Sequence, residues 1–92
     1  MIFEWDATKA IANLRKHGIS FAEARTAFGD PLGRITDDPS HSDAEDRFVL
    51  LGLSEQQRLL AVMFTDRGEV IRIITARRAT RRERSNYEEN AN

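Results

Sequence analysis

The chain has 92 residues, a mass of 10.5 kDa and 40% apolar residues, enough for one domain around a single core. It contains no Cys and two His, which excludes a disulfide framework, a cysteine nucleophile and a thiolate zinc site. Fourteen basic and fifteen acidic residues sum to −1, so the molecule as a whole is not a polyanion binder through net charge.

The distribution of charge is uneven. Asp37 to Asp46 holds five carboxylates and no Lys or Arg, whereas Arg72 to Arg84 holds six Arg against Glu83 alone. Twelve of the fourteen cations are Arg, the side chain whose planar fork suits phosphate and carboxylate. Apolar runs such as Leu59–Phe64 fall far short of the roughly 20 residues a membrane span needs. The opening Met1-Ile2-Phe3-Glu4-Trp5-Asp6 is acidic where a secretory or transit leader is basic, so a cytoplasmic protein is expected.

Ile2 to Trp5 reads as a short strand, and Asp6 caps the helix that follows. Ala7, Ala10, Ile11 and Leu14 recur at helical spacing and predict one apolar stripe, ended by Gly18. Ser20-Phe21-Ala22-Glu23 is a capping box opening a second helix, with Phe21, Ala24 and Phe28 on its buried side and Gly29-Asp30-Pro31 closing it. Leu32 to Asp37 is a strand candidate, followed by a loop, Asp38-Pro39-Ser40-His41-Ser42. Arg47–Leu53, Leu59–Thr65 and Glu69–Ala76 are rich in Val, Ile, Leu and Phe; the turns between them are short enough for antiparallel hairpins. Thr80-Arg81-Arg82-Glu83 is a second capping box and opens a polar C-terminal helix in which Tyr87 is the one large ring. Phe3, Trp5, Phe21, Phe28, Phe48 and Phe64 are expected mostly in the core. No linker or repeat divides the chain, which predicts a single domain over residues 1–92 with a polar tail from about residue 90.

These residues also carry a resemblance. Phe3-Glu4-Trp5-Asp6, Lys9, Asn13, Lys16-His17-Gly18-Ile19-Ser20-Phe21, Ala24, Asp30-Pro31, His41-Ser42, Glu45 and Arg47 stand in order, followed by Gly52, Arg58, Arg72-Ile73-Ile74-Thr75-Ala76-Arg77-Arg78-Ala79-Thr80, Glu83, Arg84 and Tyr87. This pattern resembles the BrnT family, the toxins of type II BrnT–BrnA toxin–antitoxin systems, over nearly the whole chain. Thr75 stands where Ser is common, and Gln57 where Gly often precedes the Arg. The resemblance implies a RelE-like α+β fold with an antiparallel sheet of about four strands, two N-terminal helices and one C-terminal helix (β-α-α-β-β-β-β-α). It further implies metal-independent cleavage of mRNA without a cofactor, and neutralisation by a BrnA-like ribbon–helix–helix antitoxin in a hetero-oligomer that reaches DNA through the antitoxin. A noncatalytic module acting with a DNA-binding antitoxin in autoregulation is the alternative.

Metal-free RNA cleavage needs a group to take the 2′-hydroxyl proton, a group to protonate the leaving oxygen, and cations for the charge growing on phosphate. His17, His41, Glu45, Arg47 and Arg72 are the candidate catalytic residues. For His17 the bland reading is a cation at a helix C-terminus, for His41 a solvated loop residue, and for Glu45 and Arg47 a surface ion pair. Arg72 interrupts Val70-Ile71-Arg72-Ile73-Ile74, where it is either paired with a carboxylate such as Asp6 or Glu45 or held on an open sheet face toward the scissile phosphate. Lys9, Lys16, Arg77, Arg78, Arg81 and Tyr87 are the candidate RNA-binding residues. The basic run is otherwise a solvated helix face or an antitoxin contact, and the Tyr87 ring otherwise an anchor for its helix.

Overall fold

The computed structural model describes residues 1–38 and 47–91, with side chains to residue 89, so His41 and Glu45 lie outside the described residues. Among these residues the elements run β1 (Ile2–Glu4), α1 (Ala7–His17), α2 (Phe21–Thr26), β2 (Arg34–Asp37), β3 (Arg47–Leu53), β4 (Leu59–Arg67), β5 (Val70–Arg78) and α3 (Arg81–Ala91). A single 3-10 turn, Ala27–Gly29, follows α2.

The strands form one sheet in the order β1-β5-β4-β3-β2. Strands β2 to β5 pair antiparallel as the short connections require, and β1 adds a fifth strand in parallel against β5. The sheet is therefore mixed, one strand wider than the antiparallel sheet expected. A bulge between Met63 and Phe64 and their β5 partners leaves Ile74 without a partner on β4.

The helices α1 and α2 cover one face. Phe21 and Ala24 of α2, with Ile19 just before it and Ala27 of the 3-10 turn, pack with Leu50, Leu60, Val62, Phe64, Ile71, Ile73 and Ala76, and Ala10 of α1 closes the cluster with Phe3, Trp5, Phe28 and Phe48. Gly52 allows the approach, since a Cβ there would lie 2.8 Å from the Ala27 carbonyl oxygen. On the other face Leu51, Leu59 and Ala61 form a smaller cluster, with Ala79 and Tyr87 packed against it. So α3 covers the Leu53 end of β3, and the Arg47 end lies six residues, roughly 20 Å, farther along.

Most punctuation in the sequence does the local work expected of it. Asp6 accepts from the Lys9 N–H at 2.9 Å, and Gly18 ends α1 at φ 72°. Thr80 and Glu83 form a complete reciprocal box, at 3.1 and 2.8 Å. The first box is half used: Ser20 Oγ accepts from the Glu23 N–H at 3.0 Å, but the Glu23 carboxylate turns inward to Arg58 and to the Ser54 hydroxyl.

The predicted stripe of α1 is corrected by the structure. Ile11 and Leu14 are 62% and 52% exposed, while Asn13 is buried. The cause is the edge of β5. Strand β1 pairs with β5 only from Val70 to Arg72, so the rest of that edge needs other partners. Asn13 supplies them: its Nδ2 donates to the Ala76 carbonyl at 2.8 Å and to the Ile19 carbonyl at 2.9 Å, and its Oδ1 accepts from the Ala76 N–H at 3.1 Å. The carboxamide thereby satisfies both backbone groups of Ala76 on an edge that an aliphatic side chain would leave unpaired.

Candidate active site

Residues opposite one another in a sheet point to the same face. The register places Glu4 of β1 beside Arg72, Arg72 beside Thr65, and Thr65 beside Arg47. These four side chains make one polar row across β1, β5, β4 and β3, at the end that α3 leaves uncovered. The two guanidinium-bearing strands are separated by β4, so their backbones lie about 10 Å apart. Between two long side chains the short Thr65 forms the floor.

The row is only partly satisfied within the protein. Arg72 Nη1 donates to Glu4 Oε2 at 2.6 Å, with both side chains partly exposed at 35% and 41%. Thr65 Oγ1 and Arg47 Nε are buried and have no hydrogen-bond partner among the described residues. A buried polar group left in that state costs about 1–3 kcal/mol. Rigid strands hold these groups, which suits a site that must keep fixed charges in place.

Two lysines and a histidine lie along the β5 edge beyond the row. Lys9, Lys16 and His17 line a cleft of about 280 Å³ with Asn13, Ile74 and Thr75, two to three residues beyond Arg72 on β5. Their side chains project from α1, whose last turn holds Arg15, Lys16 and His17. The helix start is also in electrostatic reach of the row. The Lys9 N–H holds the Asp6 carboxyl below its ordinary value against the opposing effect of burial, with smaller contributions from the Thr8 N–H and from the charges of Lys9 and Arg72. A larger concavity of about 530 Å³ lies on the helix side of β1 among Phe3, Trp5 and Phe28; its cation, Arg25, sits 5.2 Å over the Phe3 ring.

The candidate residues thus divide. Arg47 and Arg72 share the row, and Lys9, Lys16 and His17 share the cleft. Arg77 is engaged by Glu83 through both terminal nitrogens, at 2.7 and 3.0 Å. Arg78 is exposed and its charge acts on Glu23 under the helices, while Arg81 is exposed in the first turn of α3. Tyr87 donates to Asp30 Oδ2 at 2.6 Å and packs on the smaller cluster, which is the anchoring role. The Arg72–Arg84 run is therefore not one continuous surface. His41 and Glu45 fall outside the described residues.

The family model described as ribonuclease toxin, BrnT, of type II toxin-antitoxin system matches residues 5–83. The chain belongs to the BrnT family. The crystal structure of the Brucella abortus ribonuclease toxin BrnT at 1.1 Å has the same fold, with a TM-score of 0.66 and 22% identity over 88% of this chain and 100% of that one. No match is found among curated protein sequences. Membership of a type II BrnT family carries with it a protein antitoxin as partner. No described helix is long and apolar enough to cross a membrane.

Two members of the polar row in this BrnT chain were not singled out from sequence. Glu4 sits between aromatic Phe3 and Trp5, and that alternation alone puts it on the opposite face from them. Its partner was illegible because parallel pairing of β1 with β5 joins residues 68 positions apart. Thr65 carried no signal, since Thr is a common strand residue.

Proposed function

We propose that this BrnT-family chain is a metal-independent endoribonuclease that cuts mRNA in the cytoplasm, arresting translation and growth. In this reading a BrnA-like ribbon–helix–helix antitoxin neutralises it in a hetero-oligomer and makes the DNA contacts. The observation that supports it is the row Glu4, Arg72, Thr65, Arg47, which sets two guanidinium groups and a carboxylate on one open sheet face.

The chemistry suits those groups. The 2′-oxygen forms a bond to the adjacent phosphorus and the bond to the 5′-oxygen breaks, leaving a 2′,3′-cyclic phosphate and a 5′-hydroxyl. Arg72 and Arg47 meet the negative charge that grows on the phosphoryl oxygens. As the phosphate draws Arg72 away from Glu4, that carboxylate is left beside the nucleophile and takes the 2′-hydroxyl proton. The leaving oxygen takes up a proton in turn, and His41 and Glu45 remain the acid–base candidates brought from the sequence. Lys9, Lys16 and His17 hold the flanking backbone in the adjoining cleft, a contact that weakens as salt rises.

The deciding experiment is cleavage of RNA in excess EDTA by the parent chain and by Arg72→Ala. The expected result is cutting at the parental rate under chelation and a loss of about a hundredfold or more in the variant. Cutting that stops in EDTA and returns with magnesium overturns the metal-independent reading. A folded Arg72→Ala that cuts as fast as the parent overturns the site.

A further inference from the structure

Thr65 is 1% exposed, yet its hydroxyl has no partner among the described residues, and the same holds for the Nε of its row neighbour Arg47. Arg47 Nε can only donate, and the Thr65 hydroxyl, which can donate or accept, has nothing to donate to, so one added acceptor would serve both. Val would fill the same volume without the unmet hydroxyl and suits a strand at least as well. A hydroxyl kept there at a cost to folding calls for a ligand atom that accepts hydrogen bonds and carries negative charge. A phosphoryl oxygen meets both requirements, and the two arginines on either side supply its counter-charge.

We propose that the Thr65 hydroxyl is a binding donor of this site, donating to a non-bridging oxygen of the scissile phosphate while Arg47 and Arg72 clamp the group from either side. This rests on the ribonuclease reading above. Both flanking arginines are long and partly exposed, and a rotamer change in either admits the phosphate to the floor of the row. Because the donor is fixed by a buried strand, it needs no reorganisation as charge develops. The hydroxyl therefore acts on the bond-making step as well as on binding.

The test compares Thr65→Val, Thr65→Ser, Thr65→Ala and Arg72→Ala for thermal stability, for kcat and KM on an RNA substrate, and for binding of the same RNA with 2′-O-methyl groups. Thr65→Val is expected to melt about 4 °C higher, since an unmet buried hydroxyl is gone, and to cut at least about tenfold more slowly, chiefly in kcat. It should also bind the uncleavable RNA more weakly. Thr65→Ser should stay within about threefold of the parent. A folded Thr65→Val that cuts at the parental rate, beside an inactive Arg72→Ala, overturns this proposal and leaves the ribonuclease site standing. Should Thr65→Val not fold, equal kcat for the Ser and Ala variants overturns it, and a tenfold gap between them supports it. Parental cutting by a folded Arg72→Ala removes the site and this proposal together.

Discussion

Tyr87 donates a 2.6 Å hydrogen bond to Asp30 and so ties the C-terminal helix to the turn that follows α2. Asp30 is already the acceptor for the N–H groups of Leu53 and Leu32, at 2.8 and 2.9 Å. Burial opposes its charge, but these three donors together hold the carboxyl below its ordinary value, while burial and the Asp30 charge push the Tyr87 hydroxyl up to about 12. Tyr87→Phe keeps the ring on the smaller cluster and removes only the donor. It should cost about 1–2 kcal/mol in urea denaturation at neutral pH. RNA cleavage should be unchanged, and a folded variant that cuts poorly would instead put the hydroxyl in contact with substrate.

Acid should unfold this protein through a small set of carboxylates. Glu23 is held low by the hydrogen bonds of Arg58 and then of Ser54, Glu83 by those of Arg77 and then of Thr80, and Asp30 as described. A carboxyl lowered in the folded state binds fewer protons there than in the unfolded chain. Its contribution is therefore complete above the unfolded values of 4.5 for Glu and 3.8 for Asp, and it is lost as pH falls through the lower folded values. Denaturation midpoints should stay level from neutral pH to about 5 and then drop steeply. With Glu23→Gln the protein should lose about 2 kcal/mol at pH 7, and its midpoint should fall less steeply in acid.

Gln57 has φ 65°, in the left-handed region, and its N–H donates to the Ser54 carbonyl at 2.9 Å to close the β3–β4 turn. Glycine adopts that backbone without steric cost. Gln57→Gly should raise stability by about 1 kcal/mol, since it removes the side-chain clash of that conformation. Chemical denaturation reads the gain, and a loss would mean the Gln side chain holds the turn in some other way.

The arginines of β3 and β5 should separate by function when removed singly. Arg47→Ala should slow RNA cleavage by about a hundredfold with little change in melting temperature. Arg77→Ala should do the reverse, because its guanidinium joins the end of β5 to the Glu83 that caps α3. Parental cleavage by the Arg47 variant, or an inactive but well-folded Arg77 variant, would reverse the assignment.

His41 and Glu45 can be judged by pH profiles. If either moves a proton in the reaction, His41→Ala or Glu45→Gln should lower kcat by about a hundredfold and remove one limb of the pH–rate curve. A variant that lowers the rate yet leaves both limbs in place argues for a contact with the phosphate backbone instead.

Local signals were legible wherever one short stretch of chain decides the outcome. Asp6, Gly18, Thr80 and Glu83 act as caps because the groups they satisfy lie within four residues. Alternation put Arg72 on the face of Val70, away from Ile71 and Ile73, and those two isoleucines are buried under the helices while Arg72 pairs with Glu4. The misses all required a distant partner. Glu23 has the spacing of a capping residue, but Arg58, 35 positions away, takes its carboxylate. Ile11 and Leu14 have the spacing of a buried stripe, but the unpaired stretch of β5 selects Asn13. The acid that meets Arg72 proved to be Glu4, because a parallel β1 brings it there and no periodicity reports that pairing.

The Asn13 carboxamide has a geometric consequence for everything α1 carries. Its grip on Ala76 sets both the rotation of the helix and its height along β5, the strand that also bears Arg72. A one-residue slip would turn the helix by about 100° and carry Lys9, Lys16 and His17 away from the cleft. One side chain thereby indexes the two halves of the charged surface to each other, so that its replacement would detune them even in a molecule that still folds.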